Sequence, residues 1–262
     1  MASWATKRKS AYLLIIVVAV LVIIGLPAFK ILYKAPSCSD GVRNQGEQDI
    51  DCGGPCRTLC QSAFLPAVTL WASATHVTGG LYNLAAYIEN PNVSGAAMNV
   101  PYQFSVFDTD GILIVQRNGV INIPANRNTL AFVGAVDMGK RVLAKGGVRF
   151  QYIQAPVWRR SHDTLTDLYY PMPQYIEDNT SVTQGSSLQV ALTNKALTPV
   201  DDITVYAILK DINNNAIDFS KTHIDQIPAG ATKYAPFTWP TSHKGAVVSE
   251  EILPVVPPVF DR

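Results

Sequence analysis

No cysteine follows Cys60, and the four that the chain contains stand at positions 38, 52, 56 and 60. Everything beyond them is therefore without a thiol nucleophile. Charge is scarce too: 16% of the residues are charged and the formal net charge is +1, against roughly 25% charged in an average soluble chain. With no basic field there is nothing to draw nucleic acid. After Lys34 the densest basic cluster is Arg159–Arg160. The histidines, His76, His162, His223 and His243, are well separated and form no His-x-His or His-Glu-x-x-His pair. A Gly-x-Ser-x-Gly elbow and a glycine-rich phosphate loop are both missing. No catalytic or cofactor-binding residue emerges, and the chain is expected not to be an enzyme.

One long apolar run is present. Ala11 to Phe29 hold no charged residue, and Leu13 to Ile24 are almost entirely Leu, Ile, Val and Ala. As a helix this run spans about 28 Å, close to the roughly 30 Å hydrocarbon core of a bilayer. Lys7, Arg8 and Lys9 precede it and would keep that end in the cytoplasm. Lys30 and Lys34 weaken the asymmetry without reversing it, and Trp4 and Tyr33 stand at the two interfaces. A cleaved signal peptide has the same basic start, but Leu26-Pro27-Ala28 lacks the small residues that cleavage wants. The expectation is a single-pass anchor in the cell membrane. Residues 1–10 form a cytoplasmic stub and 11–33 a transmembrane helix, with the rest extracytoplasmic.

Residues 34–62 then form a cysteine-rich stalk. An even number of cysteines beyond a membrane anchor favours two disulfides among Cys38, Cys52, Cys56 and Cys60, with all three pairings open. Zinc fits poorly, because Cys-x3-Cys-x3-Cys is not a knuckle pair and no histidine is near. Calcium fits better. Asp40, Asn44, Glu47, Asp49 and Asp51 supply hard oxygen donors, and Gly41, Gly53 and Gly54 allow tight turns. The spacing is not that of an EF-hand loop. The pattern Cys38-x-Asp40-Gly41-x2-Asn44-Gln45-x-Glu47-x3-Asp51-Cys52-Gly53-Gly54-x-Cys56 resembles a short cysteine motif that recurs in secreted and surface bacterial proteins. That resemblance implies an extracytoplasmic setting and no reaction.

After the cysteines the pattern becomes short alternating runs. Tyr102, Phe104 and Val106 alternate with Gln103 and Ser105, and Leu188, Val190 and Leu192 with Gln189 and Ala191. Period two predicts strands with one buried face. Turns are marked by Asn90-Pro91-Asn92, Asp108-Thr109-Asp110-Gly111, Asp211 to Asn215 and Pro228-Ala229-Gly230. The segments repeat at an offset of 103 or 104: Tyr87–Asn90 with Ala191–Asn194, Val100–Asp108 with Ile203–Asp211, and Ile121–Ala125 with Asp225–Ala229. This period is the size of an immunoglobulin-like sandwich. The expected fold is all-β: two tandem immunoglobulin-like β-sandwiches, residues 63–155 and 156–262, the second ending in a proline-rich tail. The aspartates Asp108, Asp110, Asp201, Asp202 and Asp211 sit at strand ends, where they usually close turns. Asp201-Asp202 is a second, weaker calcium candidate. Trp158 is expected to wedge between the modules, with Arg159 and Arg160 wet.

The modules resemble the small immunoglobulin-like domains called FxLYD or LEA14-like. The carriers are Val106-Phe107-Asp108-x2-Gly111 and Ala86-x3-Asn90-Pro91, then Val190-x3-Asn194, Val205-x5-Asp211 and Pro228-x-Gly230. Residues 65–254 also resemble a two-domain, membrane-anchored protein type of patescibacterial bacteria. The second copy departs from the pattern at Ile212-Asn213-Asn214-Asn215, where one glycine turn is usual. These readings lead to a surface protein acting as a spacer or adhesion module, with an unknown protein partner. The alternative is an accessory subunit of an envelope assembly such as a secretion, pilus or cell-wall machine.

Overall fold

The computed structural model describes residues 4–32, 36–58, 60, 62, 64–161, 168–170, 174–180, 183–243 and 245–260. Tyr33, Lys34, His162 and Asp163 lie outside the described residues. The chain forms two compact units, Met1–Cys56 and Arg57–Arg262. The first holds helix α1 (Trp4–Leu32), with Pro27 inside it. It starts before residue 11 because Lys7, Arg8 and Lys9 are good helix formers and do not interrupt the ladder. Its side chains from Tyr12 to Pro27 are all exposed. Among the described residues no helix is long and apolar enough to cross a membrane; side chains of α1 are described only at Lys9 and from Tyr12 to Pro27.

The second unit is all strand and loop among its described residues. Its first half has β1 (Val68–Thr78), β2 (Leu81–Glu89), β3 (Gly95–Asp108), β4 (Leu113–Ile123), β5 (Asn128–Asp137), β6 (Leu143–Tyr152) and β7 (Arg159–Arg160). Its second half has β8 (Leu168–Tyr169), β9 (Gln174–Thr180), β10 (Thr183–Asn194), β11 (Val200–Lys210), β12 (Ala216–Ile227), β13 (Thr232–Trp239) and β14 (Ser249–Val255). All pairings are antiparallel. The sheet orders are β1-β2-β5 and β4-β3-β6 in the first half, then β13-β10-β8 and β12-β11-β14 in the second. Strand β7 adds to β3, and β9 to β10.

Alternation dictates the layers. Tyr102, Phe104 and Val106 of β3 face Leu84, Ala86 and Ile88 of β2 across one core. Leu188, Val190 and Leu192 of β10 face Ile203, Val205, Ala207 and Leu209 of β11 across a second. Tyr102 also reaches across its own core, donating its hydroxyl to the Phe132 carbonyl. Burial pushes that phenol up to about 12.

A third apolar cluster lies between the halves. Ala85, Tyr87 and Leu130 meet Tyr206, Ile208, Phe219 and Val255 there, with Trp71 and Phe132 packed alongside. Strands β2 and β11 are thus buried on both faces, which is why Leu84–Ile88 and Val205–Leu209 are unbroken apolar runs. Four sheets are stacked, and the halves share a core.

Trp158 does not form the wedge expected of it. It is 2% exposed within the first core, against Phe64 at 5.0 Å between ring centroids. Its neighbours Arg159 and Arg160 pair with Ala96 and Gly95 of β3. The first module therefore runs past residue 155 and includes β7. Arg159 is not simply wet either, since its guanidinium lies 4.1 Å from the Phe260 ring centre.

The repeat is visible in backbone detail. Asp108 and Asp211 close identical turns. Each Oδ1 accepts two amides, from Asp110 and Ile112 in the first copy and from Asn213 and Asn215 in the second. The left-handed position is Gly111 in one turn and Asn214 in the other. Asparagine is the side chain best able to replace glycine there, so the departure Ile212–Asn215 leaves the loop shape intact. The amide and side chain of Asn215 hold the Asp211 carboxyl below its ordinary range.

Candidate functional site

The cysteine segment is the densest polar constellation of the first unit. Cys38 and Cys56 form a disulfide, 18 residues apart in sequence. Cys52 and Cys60 are disulfide-bonded as well, and no cysteine is free. Gly54 has a left-handed backbone, and a Cβ there would sit 2.2 Å from the Gly46 carbonyl oxygen. The sequence Cys-Gly-Gly is what allows the chain to close on itself at that point.

The proposed calcium donors do other work. Asp51 accepts the amides of Asp40 and Gly41 at 2.9–3.1 Å. Asp40 accepts those of Ser37 and Val42 and the Asn44 side-chain NH2. Glu47, 4% exposed, accepts the amides of Asn44 and Asp51 through Oε2, and its Oε1 lies 3.2 Å from Cys56 Sγ. A segment this short cannot bury its backbone amides in a sheet, so carboxylates cap them instead. Asn44 Oδ1 is buried without a hydrogen bond. The sulfur pair Cys38–Cys56 beside Glu47 is oxidised and cannot ligate zinc. Asp201 is likewise engaged, accepting from the Gln226 side chain, while Asp202 lies 3.7 Å from His223.

Because the Cys38–Cys56 bridge closes a short polar loop, its loss falls on that loop. Cys38→Ser with Cys56→Ser should destabilise the segment by roughly 3 kcal/mol from chain entropy. Hydrogen exchange at residues 38–56 should accelerate at least tenfold while the strands of residues 57–262 keep their protection. Unchanged exchange in the segment would show that the capping carboxylates hold it without the bridge.

The second polar constellation sits at the junction between the two halves. Asp218, buried near the start of β12, accepts the Thr75 hydroxyl at 2.7 Å and the Phe219 amide at 2.8 Å. Its other oxygen is 3.0 Å from His243 Nε2. His243 Nδ1 is 3.2 Å from the Ser186 hydroxyl, which also reaches the Thr241 carbonyl. Across the apolar cluster, the Tyr87 hydroxyl donates to Glu251 and accepts from Asn128. Lys210 Nζ closes that set on Glu251 at 2.7 Å. Burial and the Glu251 carboxylate hold the Tyr87 phenol well above its ordinary range.

Ser186, His243 and Asp218 fall in the order nucleophile, base, acid, but the arrangement is a strut. Ser186 and Asp218 are each 4% exposed, both Asp218 oxygens are bonded, and the serine hydroxyl is turned to a backbone carbonyl. At that exposure the serine hydroxyl is closed off from solvent. The residues are far apart in sequence, so no motif signalled them. An open depression of roughly 350 Å³ lies between β1 and β6, lined by Ala72, Ala74, Leu143, Lys145, Gly146 and Val148. It holds no acid–base pair.

No family model matches the chain, and no curated protein matches it. Solved structures give distant likenesses. Red sea bream transglutaminase is 11% identical with a TM-score of 0.23, covering 72% of this chain and 31% of its own. A β-glucuronidase from glycoside hydrolase family 2 is 8% identical with a TM-score of 0.24, covering 88% and 29%. The tandem CBM22 domain of Paenibacillus barcinonensis Xyn10C is 5% identical with a TM-score of 0.15, covering 73% and 91%. The chain thus spans about three tenths of the length of the first two. At these scores none bears on function.

Proposed function

We propose that this chain is a membrane-anchored, extracytoplasmic structural and binding protein without catalytic activity, its outer body made of two immunoglobulin-like sandwiches. The observation that carries this reading is an adjacency. An apolar helical stretch with every described side chain from Tyr12 to Pro27 exposed is followed by a segment in which every cysteine is oxidised. Exposed apolar surface costs about 25 cal/mol per Å² in water, so such a helix calls for a lipid environment. Disulfides persist on the oxidising side of a membrane. Lys7, Arg8 and Lys9 at the start of the helix support an inward N-terminus.

The test is protease protection in spheroplasts carrying an N-terminal epitope. The protein is expected in the carbonate-washed membrane pellet, with added protease removing residues 57–262 and sparing the epitope. Recovery of the intact chain in the soluble fraction overturns the anchor. Digestion of the epitope with survival of the strands overturns the orientation.

A further inference from the structure

Glu47 is the one buried carboxylate of the cysteine segment. Its Oε2 accepts the Asn44 and Asp51 amides. Its Oε1 lies 3.2 Å from Cys56 Sγ and has no other partner among the described residues. A disulfide sulfur bears no hydrogen, so this oxygen faces an atom that cannot donate to it. Buried acceptors without a donor are rare in folded proteins. One reaction supplies the missing donor. Once the Cys38–Cys56 bond opens, the Cys56 thiol can give its S–H to Oε1. The contact therefore favours the dithiol over the disulfide.

The four sulfurs are unequally placed. Cys56 and Cys60 are 1% and 2% exposed, Cys52 is half-buried, and Cys38 alone is exposed. Exchange begins when a thiolate reaches a disulfide sulfur, and access selects Cys38. Attack there makes Cys56 the leaving group, at the place where Glu47 Oε1 receives its hydrogen. Asp51 ties its part of the loop to Asp40 and Gly41 without help from the sulfurs, which keeps the opened thiols within reach of each other.

We propose that the Cys38–Cys56 disulfide exchanges with external thiols. Cys38 is the sulfur attacked, Cys56 is the resolving thiol, and Glu47 is a positioning residue for the Cys56 hydrogen. The substrate class is a low-molecular-weight thiol, which is also the reductant. Its thiolate attacks Cys38 Sγ, a mixed S–S bond forms, and the Cys38–Cys56 bond breaks with its electron pair left on Cys56 Sγ. That sulfur takes up the proton which the thiol released to solvent. A second thiolate then attacks the carrier sulfur of the mixed disulfide, and Cys38 leaves and is protonated in turn. Two thiols are thus oxidised to one disulfide while the protein gains two S–H groups. In the return direction Cys56 attacks Cys38 and expels the thiol. The exchange is stoichiometric, and it stands whether or not α1 spans a membrane.

The experiment equilibrates the full chain in detergent micelles with reduced and oxidised glutathione, quenches with acid, and locates thiols and adducts by peptide mass. Cys38 and Cys56 should open together while Cys52 and Cys60 stay oxidised, and the glutathione adduct should sit on Cys38. Glu47→Gln should move the Cys38–Cys56 equilibrium about tenfold toward the disulfide, a change of about 30 mV. The Asn44 and Asp51 amides hold the glutamine oxygen and leave its NH2, which accepts nothing, against the sulfur. Asp49→Asn removes the same charge at an exposed position and should move the equilibrium by less than about twofold. A loop merely loosened by Glu47→Gln would open more readily, which is the opposite sign. The proposal is overturned if Cys52 and Cys60 open as early, if the adduct forms first on another cysteine, or if Glu47→Gln leaves the equilibrium unmoved or shifts it toward the dithiol. If Glu47→Gln abolishes amide protection across residues 38–56, the order of opening and the site of the adduct in the wild type decide alone.

Discussion

Phe219→Ala should lower the stability of the full chain by about 3–5 kcal/mol and change how it unfolds. Phe219 is fully buried, with ring centroids 6.2 Å from both Trp71 and Phe132 of the other half. Truncation empties the middle of the shared cluster and loosens the neighbouring Asp218–Thr75 bond. Calorimetry of the wild type should show the two halves melting in one transition, because Tyr206, Ile208 and Val255 would be left bare if the first half melted alone. In the variant the transition should fall by on the order of 10 °C and split in two. A wild type already melting in two steps, or a variant displaced by less than about 1 kcal/mol, would mean that the modules are beads rather than a block.

The second large effect is expected at the paired asparagines. Asn194 is fully buried, and its NH2 serves the carbonyls of Thr198, Ile227 and Pro228 while its oxygen accepts the Ala196 amide. Asn90 does the same in the first copy, serving Gly95 and Pro124 and accepting the Asn92 amide. Each pins the end of its strand to the loop that follows β4 or β12. Alanine at either position orphans buried carbonyls and should cost about 3 kcal/mol, at an expected 1–3 per unsatisfied group. Aspartate, equal in size, should not rescue, since a carboxylate cannot donate to a carbonyl. Denaturant melts of Asn90→Ala, Asn90→Asp and the corresponding Asn194 pair provide the check. Rescue by aspartate would show that packing volume, rather than donation, is what these positions supply.

Strand alternation and turn chemistry were legible in the sequence because they are local. Tyr102, Phe104 and Val106 point inward as their spacing implies, and Asp108 and Asp211 close the turns that their positions suggest. The repeated segments also occupy matching places in the structure, with β3 and β11 each central to its sheet. What could not be read is what depends on a second surface. Leu84–Ile88 and Val205–Leu209 are apolar throughout, and alternation cannot say what covers the second face. The tryptophan beside two arginines looked like a linker because its core partner, Phe64, is distant in sequence. In the cysteine segment Asp40, Glu47 and Asp51 presented an ambiguity of chemistry: a carboxylate suits a calcium ion and a backbone amide equally well. The fold shows which amides they cap. The Ser186–His243–Asp218 contact was illegible for the same reason as the Cys38–Cys56 pairing, since nothing local distinguishes it from its alternatives.

The junction joins unlike surfaces. The sheet β1-β2-β5 of one repeat meets β12-β11-β14 of the next, whose counterpart in the first repeat is β4-β3-β6. Such a head-to-tail contact is heterologous, and like modules joined this way would close into a ring or grow into a filament according to the rotation between them. Each end of the pair is blunted on its own terms. Gln103 and Gln116 stand where the junction has Tyr206 and Phe219, and Gln189 and Ala191 stand where it has Ala85 and Tyr87. Self-assembly through this geometry therefore needs apolar substitutions at both ends at once, a double requirement that shields a duplicated fold from the most direct route to fibres.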